Sequence, residues 1–435
     1  MEAVSTARAV PGTYDASVSN TGPLVIITIL FFMWGLLTSL NDVLIPHLKA
    51  VYTLTYVQAM LVQFCFFGAY AIVSLPAGML IKKIGYQNGA VAGLMIAAAG
   101  CALFYPASTS GYALFLMAFF VLAAGITVLQ VAANPFVAVL GDPKTASSRL
   151  TLTQAFNSLG TTVAPTLGGM LILSGAVLSA TQLGALPAVE QAAYHAKEAA
   201  AVQGPYLVLA GALLALAVLF KFARLPSISH EDSAEHSAPG TTARDSALSH
   251  SNLVLGAIGI FLYVGGEVSI GSFLVNFMGE PHIAGLTADK AASYVSFYWG
   301  GAMIGRFVGF AVMRFVSPGK ALACNAAVVI GLVLLAVFGG GKTAMWAILA
   351  VGLFNSIMFP TIFSMALFKL GKFTGQASGI LCMAIVGGAL VPFAQGLVAD
   401  HSNVQLSFLV PAACYTFILF FGLKFASLYK TEAAR

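Results

Sequence analysis

Charge is what this sequence has least of. Asp, Glu, Lys and Arg make up 8% of its 435 residues, while 59% are apolar. A soluble domain carries roughly 25% charged residues, so this chain cannot clothe a water-facing surface, and a soluble fold is excluded. The formal net charge of +5 resides in loop Lys and Arg. It reports topology and offers no basic surface to a nucleic acid. Cysteine is scarce too: Cys65, Cys101, Cys324, Cys382 and Cys414 fall in apolar stretches with no paired spacing. A disulfide framework or a cysteine metal cluster is therefore not expected, and the five read as small apolar packing residues. Phosphate loops, metal-ligand clusters and nucleophile elbows are missing, so GGAMIG (300–305) and VGGAL (386–390) read as close helix packing. An enzyme would gather acids or a His/Ser constellation at one membrane face, and a sensor would need a folded domain in a loop; neither pattern occurs. No basic, short apolar leader precedes residue 23, so the first span is expected to serve as an uncleaved targeting signal.

What is present is long apolar runs. A membrane span needs about 20 mainly apolar residues. Twelve runs qualify: 24–48, 57–81, 88–106, 111–140, 147–174, 205–225, 251–278, 289–316, 319–340, 342–369, 373–400 and 404–428. They predict an all-α membrane protein of twelve transmembrane helices. The expected plan is a cytoplasmic tail (1–22), a six-helix bundle (23–225), a polar cytoplasmic linker (226–250), a second six-helix bundle (251–428) and a short tail (429–435). With both termini in the cytoplasm, fifteen of the twenty Lys and Arg fall on that side. Lys49, Lys197, Lys290 and Lys342 fall outside and Arg306 lies within a span, which is a strong positive-inside bias. The linker's Ser, His and acids read as a solvated, flexible segment, and 175–204 is expected to hold a short extracellular helix.

The two halves repeat each other. LQVAANPFVAVLG (129–141) is similar to FNSIMFPTIFSMALFKLG (354–371), with Pro135 on Pro360 and Gln130 on Asn355. SLGTTVAPTLGG (158–169) is similar to IVGGALVPFAQG (385–396), with Gly160 on Gly387 and Pro165 on Pro392. GMLIKKIG (78–85) and GFAVMRFV (309–316) match loosely, which makes Lys82, Lys83 and Arg314 candidate gate residues. A parallel six-plus-six repeat is a transporter architecture, two bundles related by a pseudo-two-fold axis with a site near the midplane.

The polar residues inside the spans are candidates for that site. Asp42 is costly in an apolar run, roughly 2.5–3.5 kcal/mol at a span's centre, and such residues mark ion or substrate pathways. Trp34, Thr38 and Asn41 share one face of the first span, with Asp42 at its border. A tryptophan beside amides and a carboxylate suits a sugar, whose C–H face packs on the ring while its hydroxyls bond to the polar groups. Gln130 and Asn134 lie one turn apart in span 4, Gln154 and Asn157 lie in span 5, and Asn355 in span 10. Each amide lines the pathway or glues helices together. Glu267 is the deepest carboxylate and Arg306 the sole intramembrane base; they pair, or Arg306 serves an inner gate.

The segments LNDVLIPHLK (40–49), PAGMLIKKIGYQNG (76–89), QVAANPFVAVLG (130–141), RLTLTQAFNSLG (149–160) and FPTIFSMALFKLG (359–371) resemble the major facilitator superfamily, specifically its L-fucose and glucose/galactose permease branch. The resemblance runs from span 1 to span 12. It implies sugar uptake by alternating access, driven by a cation, in a bacterial inner membrane. It also implies that Asp42 is the coupling acid and that Trp34 and Gln154 lie near the sugar. Two positions depart from the fucose permease: Gln130 stands where it has a second acid, and Phe359 where it has a tyrosine. Both changes resemble the glucose/galactose type. Lys82 stands at the usual Asp position of the superfamily's loop motif, as in the fucose branch. The expectation is a monomeric hexose importer with no cofactor, coupled to H⁺ or Na⁺, with Asp42, Gln130 and Glu267 as the coupling candidates and Asp42 as a potential Na⁺ ligand. The alternatives are an uncoupled sugar facilitator and a proton-coupled exporter of an amphipathic compound.

Overall fold

The computed structural model describes residues 21–51, 56–171, 186–200, 202–223, 225 and 246–428, and among them all regular structure is helical. Of the expected tails and linker, residues 1–20, 226–245 and 429–435 lie outside the described residues. Thr21 and Gly22 already belong to the first helix, and 246–250 hold a short 3-10 turn (Ala247–Ser249) with Ala247 fully buried, so that end of the linker is packed and is not the solvated, flexible segment expected. The first bundle comprises α1 (Thr21–Val51), α2 (Tyr56–Ser110), α3 (Tyr112–Val139), α4 (Ala146–Leu171) and, after the short α5 (Ala188–Ala200), α6 (Gln203–Phe222). The second comprises α7 (Ser251–Gly279), α8 (Ala288–Val312), α9 (Pro318–Phe338), α10 (Gly341–Asn355), α11 (Met358–Leu367), α12 (Thr374–Met383), α13 (Gly387–His401), α14 (Val404–Ser407) and α15 (Leu409–Lys424). The short helix expected within 175–204 is α5.

The unbroken run of 55 residues in α2 is two spans. At 1.5 Å per residue it would extend about 80 Å, against a hydrocarbon core of about 30 Å. The reversal is at Gly85, whose φ of 79° and ψ of 168° leave the helical region. Space around it is open, so the constraint is conformational: a Cβ is disfavoured at that φ, and glycine is not. Among the described residues, ten stretches are apolar and long enough to cross a membrane. Counting both legs of α2, and adding the more polar α4, gives the expected twelve.

Spans 10, 11 and 12 are not the single helices that their apolar runs predict. Span 10 stops at Asn355 and restarts at Met358. The cause is Pro360, which has no N–H for the carbonyl four residues earlier, at Ser356, and whose ring crowds it. Span 11 passes through a tight turn at Ala384–Val386, and span 12 is interrupted at Phe408.

The repeat is visible in the packing. A Cβ on Gly160 of α4 would sit 2.2 Å from the Phe32 carbonyl of α1, and one on Gly387 of α13 would sit 2.0 Å from the Phe261 carbonyl of α7. Spans 1 and 5 therefore touch backbone to backbone as spans 7 and 11 do, through the glycines that the sequence repeat aligned. Small residues at such crossings let dispersion contacts hold helices where lipid offers no hydrophobic drive. Two residues beyond these phenylalanines stand Trp34 and Tyr263; six beyond, Thr38 and Glu267. The cysteines are free, four at least partly buried and Cys324 exposed, so Cys324 is not the interior packing residue expected.

Candidate functional site

In the first bundle Trp34 is buried against Phe31, ring centroids 5.2 Å apart. The half-buried Thr38 donates its hydroxyl to the Trp34 carbonyl at 2.6 Å. The side chains of Asn41 and Asp42 lie outside the described residues. Gln130 donates from Nε2 to the Tyr70 hydroxyl at 2.6 Å, and its Oε1 is buried without a protein partner. Asn134, one turn on, is fully buried with neither amide atom bonded. Gln154 is buried with Nε2 unbonded. Asn157 donates from Nδ2 to the Phe31 carbonyl at 3.0 Å, so that nitrogen ties α1 to α4.

In the second bundle four hydrogen bonds close a ring. The Tyr263 hydroxyl lies 2.8 Å from Glu267 Oε1 and 3.0 Å from the Asn355 carbonyl. Asn355 donates from Nδ2 to the Tyr298 hydroxyl at 2.9 Å, and that hydroxyl donates to the Glu267 carbonyl at 3.3 Å. The Asn355 carbonyl is at hand because its helix ends there. The matched pair Gln130 and Asn355 thus makes matched bonds: each donates its amide to a tyrosine on the neighbouring span, Tyr70 or Tyr298.

Arg306 does not pair with Glu267. Its Nε donates to the Ser356 carbonyl at 3.2 Å, the group that Pro360 leaves free. Its other arm reaches the Ser158 hydroxyl and the Gln154 carbonyl on α4, in the opposite bundle. A guanidinium's fixed fork of five donors can hold these acceptors together, so Arg306 ties α8 to α4 across the two bundles. Lys82 and Lys83 are exposed beside the Gly85 turn. Arg314 lies over the Phe310 ring, 4.3 Å from its centroid. Phe359 is half-buried, 5.7 Å from Phe363, with no polar contact of its ring.

The bundles meet toward the end that carries the basic loops. Ser147 and Ser364 share a hydrogen bond of 2.7 Å, Ser148 donates to the Phe310 carbonyl at 2.7 Å, and Ser378 to the Val131 carbonyl at 2.9 Å. Gly379 packs on the Ser74 carbonyl of α2. Gln154, Asn355 and Glu267 are thereby linked through Arg306, Ser356 and the two tyrosines. Sequence reading missed Tyr70, Tyr263, Tyr298, Ser158 and Ser378. The one available signal was Tyr263, four residues before Glu267 and so on the same helix face.

Two bundles of six spans, with buried amides and a carboxylate turned inward, define a helical membrane transport protein. Residues 27–392 match the Major Facilitator Superfamily, and the chain belongs to it. A glucose/galactose transporter of Brucella abortus is 56% identical over 94% of this chain and 96% of its own length. The L-fucose-proton symporter of Escherichia coli is 36% identical over 95% of each chain. The crystal structure of FucP, a superfamily transporter in the outward conformation, superposes with a TM-score of 0.86 at 34% identity, covering 94% of this chain and all of that one.

Proposed function

We propose that this protein is a secondary active hexose transporter that imports a glucose- or galactose-like sugar with a cation by alternating access. The observation that carries the reading is the 56% identity to a glucose/galactose transporter along nearly the whole chain. The site supports it chemically. Gln130, Asn134, Gln154 and Asn355 each hold a buried amide atom with no protein partner. An unmet buried group costs about 1–3 kcal/mol, and sugar hydroxyls, which donate and accept, can meet both kinds of amide atom. Trp34 supplies an apolar face for the sugar ring.

Asp42 is the coupling acid in this reading, as the resemblance implies, with Glu267 as the second carboxylate, since Gln130 cannot titrate. The ion is H⁺ or, through carboxylate, amide and backbone oxygens, Na⁺. The bonds between the bundles at the basic end support a conformation closed there and open toward the other side. The positive-inside bias assigns that end to the cytoplasm of a bacterial inner membrane, with both termini on that side. The protein acts as a monomer.

Sugar uptake by the reconstituted protein under separately imposed Na⁺ and pH gradients tests this. Accumulation under one gradient is expected. Uptake that only equilibrates leaves an uncoupled facilitator, and no sugar uptake at all sinks the reading.

A further inference from the structure

The ring around Glu267 holds one proton too few. A tyrosine hydroxyl has a single proton to donate, plus lone pairs to accept with. Tyr263 Oη nevertheless sits at hydrogen-bond distance from two oxygens, Glu267 Oε1 at 2.8 Å and the Asn355 carbonyl at 3.0 Å. The carbonyl can only accept. An ionised carboxylate can only accept as well, so one of the two contacts would face the hydroxyl with no proton in it. A protonated carboxyl resolves the count: Glu267 donates to Tyr263, and Tyr263 donates to Asn355. The rest of the ring has no slack to supply the missing proton. The Tyr298 hydroxyl accepts from Asn355 Nδ2 and spends its own proton on the Glu267 carbonyl.

Within the proposed symport reading, we infer that Glu267 is protonated in this conformation and that Tyr263 is a positioning residue, passing its protonation state to the break in span 10. When the carboxyl gives its proton to water, Tyr263 turns its own proton to the new carboxylate. No covalent bond to Tyr263 changes. The Asn355 carbonyl then loses its donor. That carbonyl ends α10, next to the Ser356 carbonyl held by Arg306, whose other arm ties the second bundle to the first. A proton on Glu267 is thus two contacts away from the bridge between the bundles.

Among the described residues, Tyr263 is the one group bonded to the carboxyl. Tyr298 and Arg306 of α8 and Tyr415 of α15 are the titratable or charged groups turned toward Glu267, with Cys414 of α15 against the adjacent Gly266. Arg306 forms no ion pair with it, its guanidinium being engaged with Ser356 and α4. Cys382 of α12 faces Tyr70 instead, and Asp400 and His401 stand at the exposed end of α13. α10 and α11 carry no titratable group near this point; Lys342 lies at the far end of α10.

Infrared difference spectra of the full-length protein in lipid vesicles, titrated from acid to alkaline pH, read the carboxyl C=O stretch directly. The expected result is a protonated-carboxyl band near neutral pH that Glu267→Gln lacks and that Tyr263→Phe shifts. A band untouched by Glu267→Gln overturns the inference. Should Glu267→Gln fail to fold, Tyr263→Phe decides alone, because an unshifted band means that the phenol is not bonded to the carboxyl. Labelled-glucose counterflow is measured on the same vesicles. Tyr263→Phe is expected to flatten its pH profile, whereas a purely structural loss lowers exchange by one factor at every pH and counts against the relay. Counterflow without the band overturns the proton relay and leaves sugar transport standing. The band without counterflow supports the relay and overturns the sugar reading.

Discussion

Ser378 of α12 donates its hydroxyl to the carbonyl of Val131 in α3, 2.9 Å away and in the other bundle. That carbonyl is free because Pro135, four residues on, has no N–H to give it. Pro360, the repeat partner of Pro135, frees the Ser356 carbonyl in the same way, and Arg306 takes it. Each matched proline creates a vacant acceptor, and a side chain from another span fills it. Ser378→Ala leaves a buried carbonyl unpaired, at a cost of about 1–3 kcal/mol to the conformation that contains the contact. Spin labels at the exposed positions Lys83 and Lys372 are expected to show a larger population of long distances in this variant. An unchanged distribution would mean that the contact does not help hold the bundles together.

Pro360→Ala restores the missing N–H and removes the ring's clash with Ser356. Span 10 is expected to become one helix, with thermal stability maintained or raised. Transport is expected to fall at least tenfold, because Asn355 and Ser356 would withdraw their carbonyls from Tyr263 and Arg306. Uptake rate and melting temperature measured together check this, and full transport by a stabilised variant would contradict it.

Arg306→Lys keeps the charge but loses the planar fork that spans Ser356, Gln154 and Ser158. If charge alone mattered, the variant would behave as wild type. The expected result is instead a loss of transport close to that of Arg306→Ala, with label distances lengthened at the basic end in both. Near-normal uptake by Arg306→Lys would reduce Arg306 to an electrostatic role.

Gln130→Glu places a second titratable carboxyl next to Tyr70, where the fucose permeases that this chain resembles have an acid. The pH profile of uptake is expected to shift from that of wild type, with activity stronger toward acid pH, since a protonated glutamate best reproduces the donor that Gln130 offers to Tyr70. A pH profile identical to that of wild type would remove this position from coupling.

Tyr70→Phe removes the one partner of Gln130 Nε2. With Oε1 already unpaired, the whole buried amide would be left without protein partners. A destabilisation of about 1–3 kcal/mol is expected, read as a lower melting temperature and recovered in part by Tyr70→Phe combined with Gln130→Leu. Failure of that second change to recover stability would show that the bond contributes little.

Much of the fold is legible in the sequence because lipid imposes a one-dimensional rule. A chain that crosses about 30 Å of hydrocarbon must bond its own backbone and stay apolar for about 20 residues. The spans, the turn at Gly85 and the pairing of Gly160 with Gly387 follow from strings in the chain. The candidate site was legible only as a set of residues. Helical period places Trp34 and Thr38 on one face, yet it says nothing of which span faces them. Arg306 shows the difference: both of its sequence-level roles were open, and only the packing of α8 on α4 separates Arg306 from Glu267 and joins it to Ser158.

By itself the sequence determined a membrane protein of twelve spans, its internal repeat, and the few polar groups costly enough in lipid to need a function. Composition and spacing carry these because they depend on each residue's own transfer energy and on its near neighbours. The tertiary structure decided which of those groups meet. Tyr263 bonds to Asn355 across 92 positions, and Ser378 to Val131 across 247. Hydrogen bonds have a reach of about 3 Å, so such partners are set by how whole helices lie against one another, a property that no local stretch of sequence contains.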